Sequence, residues 1–146
     1  MTSLTAKNIL KNKQDLLKNS GTECLFIQIS KNWGVKFYPS ASARDGAYNF
    51  QKKAAKNGVG PDVGERLQFD HDKYGQIFGY LTRAANVLGD WYTKIPESEL
   101  DRIKKEMYNI GYEVNDYHGG NLGEYKGKLV NIDFGIRESE DLYHFE

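Results

Sequence analysis

The stretch Val114-Asn115-Asp116-Tyr117-His118-Gly119-Gly120-Asn121-Leu122, followed by Val130-Asn131-Ile132-Asp133-Phe134-Gly135, decides how the rest of the chain is read. Asp116 and Asn121 are five positions apart, and Asp133 comes twelve beyond Asn121 at the end of an apolar strand pattern. Loop and strand-end placement puts all three on one edge of a hairpin. Two carboxylates and an amide so placed are candidate site residues. The plainer alternative makes Asp116 and Asn121 turn residues and Asp133-Phe134-Gly135 an ordinary strand end.

Working outward, Leu129 to Phe134 reads as a strand, with another around Leu122 and the turn Tyr125-Lys126-Gly127-Lys128 between them. Before them a helix starts near Pro96, with Leu100, Ile103, Met107 and Ile110 on one face and Gly111 as its stop. Gln76 to Arg83 is a strand, as is the alternating Val63, Leu67, Phe69 run, with Asp70 to Gly75 as the turn. Ser42 opens a helix whose stripe is Ala43, Ala47, Phe50 and Ala54, ended by Gly58. Glu23 to Ser30 and Val35 to Tyr38 are strands around the turn Lys31-Asn32-Trp33-Gly34, and Ser3 to Asn19 is an amphipathic helix. In the second of these strands Val35 and Phe37 point one way, Lys36 and Tyr38 the other. Helices alternate with locally paired strands, which is the pattern of an α+β fold with antiparallel sheets.

The Asp116-x-His118-x-x-Asn121 run with Asp133-Phe134-Gly135 resembles the catalytic loop and metal-binding motif of the protein-kinase-like superfamily, in its aminoglycoside phosphotransferase and RIO-like branch. The resemblance implies a minimal protein-kinase-like fold over residues 1–146: an N-terminal helix (1–20), an N-lobe-like part (21–84) and a reduced second lobe (85–146). It implies Mg and ATP as cofactors, with Asp116 as catalytic base and Asn121 and Asp133 as metal ligands. Lys36, on a strand that follows a hairpin and precedes a helix, resembles the lysine that holds the phosphates. Gly79, Tyr80, Leu81 and Thr82 would offer backbone groups to the adenine ring. The implied activity is transfer of the γ-phosphate of Mg-ATP to an acceptor the sequence does not name.

The chain departs from that pattern in three places, which keep a non-catalytic pseudokinase, acting as an interaction or regulatory module, as the alternative. Counting back from Gly58 puts Ala47, or Asn49 in a shifted register, where a helix glutamate would meet the lysine; Asp45 and Glu65 are the nearest carboxylates. The Gly-rich loop is reduced to Asn19-Ser20-Gly21-Thr22-Glu23. Only eleven residues follow Gly135, so a protein partner or second copy is expected to cover apolar surface on the reduced lobe.

Composition narrows the rest. Twenty Lys+Arg balance twenty Asp+Glu, which argues against a general nucleic-acid binder. No apolar run approaches a membrane span, the start shows no signal-peptide pattern, and Cys24 is the single cysteine. A cytoplasmic, reducing location is therefore expected. So compact a chain would suit a phage or bacterial protein. Asp70, His71 and Asp72 with His118 and His144 can be drawn as a metal site, but solvated turn residues are the simpler reading.

Overall fold

The computed structural model describes residues 1–17, 25–73, 75–90, 92–112 and 117–133. Leu25–Gln28 (β1) and Trp33–Tyr38 (β2) make one antiparallel hairpin, and Val63–His71 (β3) and Gly75–Arg83 (β4) make a second. Pairing of β2 with β4 joins them into a four-stranded sheet in the order β1-β2-β4-β3. The result is α+β with antiparallel sheets.

Alternation gives this sheet one face buried across all four strands and one buried over its two central strands. On one, Ile27, Val35, Phe37, Leu67, Phe69, Ile77 and Leu81 pack with Ala6 and Leu10 of the first helix, Ser3–Leu10 (α1). On the other, Lys36, Tyr38, Tyr80 and Thr82 lie under the second helix, Ala41–Lys56 (α2). Gly79 belongs to the first face for steric reasons: a Cβ there would sit 2.7 Å from the Lys36 carbonyl oxygen and 2.8 Å from the Phe37 ring.

The remaining elements pack against the outer side of α2. Glu97–Asn109 (α3) contributes Ile103 and Met107, which meet Phe50 and Ala54 of α2. Asn86–Val87 (β5), Leu122–Tyr125 (β6) and Lys128–Asn131 (β7) form a three-stranded antiparallel sheet whose Leu122 enters the same cluster. The β6–β7 turn places Lys126 and Gly127 at φ 52° and 77°, the two left-handed positions of a tight hairpin loop. Arg102 pairs with Glu99 and Glu106 on its own helix and donates to the Leu129 carbonyl at 2.8 Å, stitching α3 to β7.

Several boundaries differ from the sequence expectations; Trp33 and Gly34, expected in the first hairpin turn, already belong to β2. The N-terminal helix stops at Leu10 rather than Asn19: Asn12 and Lys13 bond back to Ile9 and Leu10, and a 3-10 turn follows over Gln14–Leu17. The cap of α2 is Ser40, not Ser42, because the extended backbone of Ser40 lets its Oγ accept from the Ala43 amide at 3.1 Å. Strand β3 continues through Asp70 to His71, where the expected turn would begin. Strand β5 has two exposed residues and carries no periodicity to detect. Gly58 and Gly111, expected as helix stops, have φ of 74° and 96°, the conformation that suits glycine after a helix.

Candidate functional site

Lys36 sits in an interior strand, opposite Phe26 of β1 and Tyr80 of β4. The sheet holds its neighbours Val35 and Phe37 fully buried on the α1 side, so its side chain emerges under α2 and is only 8% exposed. An amine in such a place needs strong acceptors. Its Nζ donates to the Ile132 carbonyl oxygen at 2.6 Å and to Gln51 Oε1 at 3.1 Å.

The first of these bonds spans 96 positions and reaches the residue immediately before Asp133. Asp133 is set in turn by Asn131, which is wholly buried and whose Nδ2 donates to the Asp133 carbonyl oxygen at 3.0 Å. The Ile132 amide donates to the Asn121 carbonyl oxygen at 3.0 Å, continuing the β6–β7 ladder by one step. Asn121 closes a 3-10 turn, Gly119–Asn121, whose cap is His118: the ring Nδ1 accepts from the Gly120 amide at 3.0 Å. Lys36 Nζ, the Asn121 carbonyl oxygen and the backbone leading into Asp133 are thus linked through Ile132, where the four-stranded sheet reaches the open end of the β6–β7 hairpin.

The side chains of Asn121 and Asp133, an amide and a carboxylate, are oxygen donors of the kind a hard divalent cation takes. Asp116, the expected base, lies outside the described residues. Its neighbour Tyr117 is packed into the α2–α3 cluster, and its buried hydroxyl has no hydrogen-bond partner among the described residues. Burial pushes its pKa up to about 12.

Gly79, Tyr80, Leu81 and Thr82 fall within the strand expected for them. They lie inside β4, opposite Phe37, Lys36, Val35 and Gly34 of β2, and three of them also face β3 partners. Backbone flanked on both sides by strands is not presented to a ring. Two of the four reach the site through side chains instead. The Tyr80 hydroxyl donates to Gln51 Oε1 at 2.7 Å, and Thr82 Oγ1 accepts from Gln51 Nε2 at 2.7 Å.

Gln51 is the residue the sequence reading passed over. It follows Ala47 by four positions and precedes Ala54 by three, and all three are buried on one stripe of α2. A polar residue in a buried stripe must find partners, and that was the available signal. Ala47 instead packs against Tyr38 and Tyr80, Asp45 pairs with Arg44 and Arg66, and Glu65 accepts from the Ser3 amide at 2.6 Å.

His71 and His118 both have structural duties. His71 Nδ1 accepts from the Lys73 amide at 3.0 Å, which leaves Nε2 to donate to the Gln14 carbonyl oxygen at 3.1 Å. Among the described residues no cluster of three or more His, Cys, Asp and Glu side chains is disposed to hold a metal. A separate open cleft of about 290 Å³ is lined by Asn32, Asp62, Arg83, Ala84, Tyr125 and Lys126, at the exit of β4. There the Tyr125 hydroxyl donates to Asp62 at 2.6 Å and Lys126 at 3.0 Å, which together hold the Asp62 carboxyl below the usual aspartate range. Among the described residues no helix is long and apolar enough to cross a membrane. No protein-family model matches the chain, and no curated protein matches it in sequence.

Proposed function

We propose that the chain is a minimal protein-kinase-like phosphotransferase that binds Mg-ATP and passes the γ-phosphate to an acceptor hydroxyl. The observation that carries this reading is the 2.6 Å bond from Lys36 Nζ to the Ile132 carbonyl. It brings a strand lysine, the residue before Asp133 and the Asn121 turn together, with a polar residue of the following helix on the same amine. Phosphoryl transfer asks chiefly for positioning and charge neutralisation, and these groups supply both.

In this reading Asp133 and Asn121 hold the magnesium ion, whose charge offsets that of the nucleotide phosphates. Lys36 binds phosphate oxygens as a point charge fixed by the sheet. Asp116 orients the acceptor hydroxyl and takes its proton as the new ester bond forms. His118 acts on the backbone, shaping the turn that presents Asn121. The alternative of a nucleotide-keeping pseudokinase is favoured by one observation, the neutral amide of Gln51 where an active kinase carries a glutamate.

Thermal unfolding tests the reading. A ligand at about 100 times its Kd adds roughly 2.7 kcal/mol to the folded state, a shift of several degrees for a chain of this size. Mg-ATP raises the wild-type Tm, and Asp133→Asn keeps the fold but loses the magnesium-dependent part. Asp116→Asn keeps the shift and abolishes any transfer. A wild type whose Tm ignores ATP with and without Mg or Mn overturns the proposal. A shift without transfer to any acceptor leaves the pseudokinase.

A further inference from the structure

The Gln51 amide is completely buried, and its hydrogen-bonding capacity is used in full. Its oxygen accepts from Lys36 Nζ at 3.1 Å and from the Tyr80 hydroxyl at 2.7 Å. Its nitrogen donates to the Pro61 carbonyl oxygen at 3.0 Å and to Thr82 Oγ1 at 2.7 Å. An amide has two acceptor and two donor positions, so nothing is left over. The orientation is forced by chemistry: the lysine can only donate, and the proline carbonyl can only accept.

The same bonds show why a glutamate would not serve here. A carboxylate in this pose would set an oxygen against the Pro61 carbonyl. Thr82 could not relieve it, because its hydroxyl already donates to the Arg83 carbonyl at 3.1 Å.

We propose that Gln51 is the positioning residue for Lys36, holding the amine through a neutral amide that also clamps α2 onto β4 and the Pro61 loop. This rests on the phosphate-binding reading of Lys36 and adds a statement about control. Where a lysine is held by a helix carboxylate, swinging the helix away breaks an ion pair and switches the site off. Here the contact between α2 and Lys36 is one of four bonds to a single buried side chain, so the helix is seated permanently. The site is then always assembled, and its activity is set by nucleotide and acceptor supply.

The test pairs a nucleotide-free measurement with a nucleotide-dependent one on Gln51→Met, a variant of similar volume. Thr82→Val, which removes one anchor of the amide, guards against a variant that fails to fold. In the absence of nucleotide, an amine-acylating reagent followed by peptide mass spectrometry reads the availability of each lysine. Lys36 reacts slowly in the wild type and several times faster in both variants, while the exposed lysines keep their rates. An unchanged Lys36 rate in both variants overturns the proposal whether or not ATP binds. With Mg-ATP, Gln51→Met weakens binding about tenfold, and the loss disappears in a Lys36→Met background, the mark of two residues acting as one. Equal losses in both backgrounds reduce Gln51 to a structural role and contradict the proposal. If the acylation rates shift but neither wild type nor variant binds ATP, the positioning stands and the phosphotransferase reading falls.

Discussion

The four-stranded sheet and the three-stranded sheet bury residues in different ways. The first lies between α1 and α2, and its α1 side is buried across all four strands. On the α2 side the two central strands are buried, so that even its lysine is part of the interior, while Phe26, Arg66 and Gln68 on the edge strands stay exposed. The second packs Leu122 toward α2 and α3, while Val87, Leu88, Tyr92 and Tyr108 in the same half of the chain stay exposed. Lys36 is therefore placed by side-chain packing from two directions. Asn121 and Asp133 are placed by main-chain bonds at the end of a hairpin. In the proposed site the first sheet is the support, and the hairpin presents the metal ligands from a backbone frame.

The largest expected effect tests the support. Phe37→Ala empties the centre of the α1-side core and lowers unfolding free energy by about 3–5 kcal/mol. Denaturant titration measures it, and a loss under ~1 kcal/mol would mean that this face is not the packed side. A smaller effect tests the polar layer under α2. Tyr80→Phe removes the hydroxyl bond to Gln51 Oε1 but keeps the ring stacked on Tyr38, costing about 1 kcal/mol. A neutral or stabilising result would show that this bond adds nothing to the clamp.

The smallest effect belongs to the hairpin side. Asp62 is held below its ordinary value of 3.8 chiefly by the Tyr125 hydroxyl, with Lys126 adding to it. A depressed carboxyl contributes stability above the unfolded value and loses it as pH falls through the folded one. Wild type should therefore lose slightly more stability than Asp62→Asn between about pH 5 and pH 2. The difference is ~0.5 kcal/mol or less, because the aspartate side chain is half exposed. Parallel pH curves would remove Asp62 from the contacts that tie the β6–β7 turn to the first sheet.

Much of the support was legible in the sequence because alternation is a strong local signal. Val35, Phe37, Leu67 and Phe69 announced their face, and that placed Lys36 on the opposite one. The helix stops at Gly58 and Gly111 were legible for a similar local reason, the need for a left-handed residue. Asn121 and Asp133 stood out by residue type and spacing alone. What the sequence hid was non-local. Gln51 takes its meaning from Lys36, Tyr80, Thr82 and Pro61, which lie on three other segments, so counting along α2 pointed to Ala47 instead. The interior position of Gly79–Thr82 depends on β4 having strands on both sides, which no local pattern encodes.

The central claim is that Lys36, Asn121 and Asp133 form one phosphate and metal site. The most direct test is anomalous diffraction from crystals grown with Mn and a non-hydrolysable ATP analogue. The account predicts a manganese peak about 2.0–2.2 Å from side-chain oxygens of Asn121 and Asp133, with a phosphate oxygen in hydrogen-bond reach of Lys36 Nζ. Ordered nucleotide and metal bound elsewhere, with Lys36 Nζ still on the Ile132 carbonyl and no phosphate beside it, would contradict it.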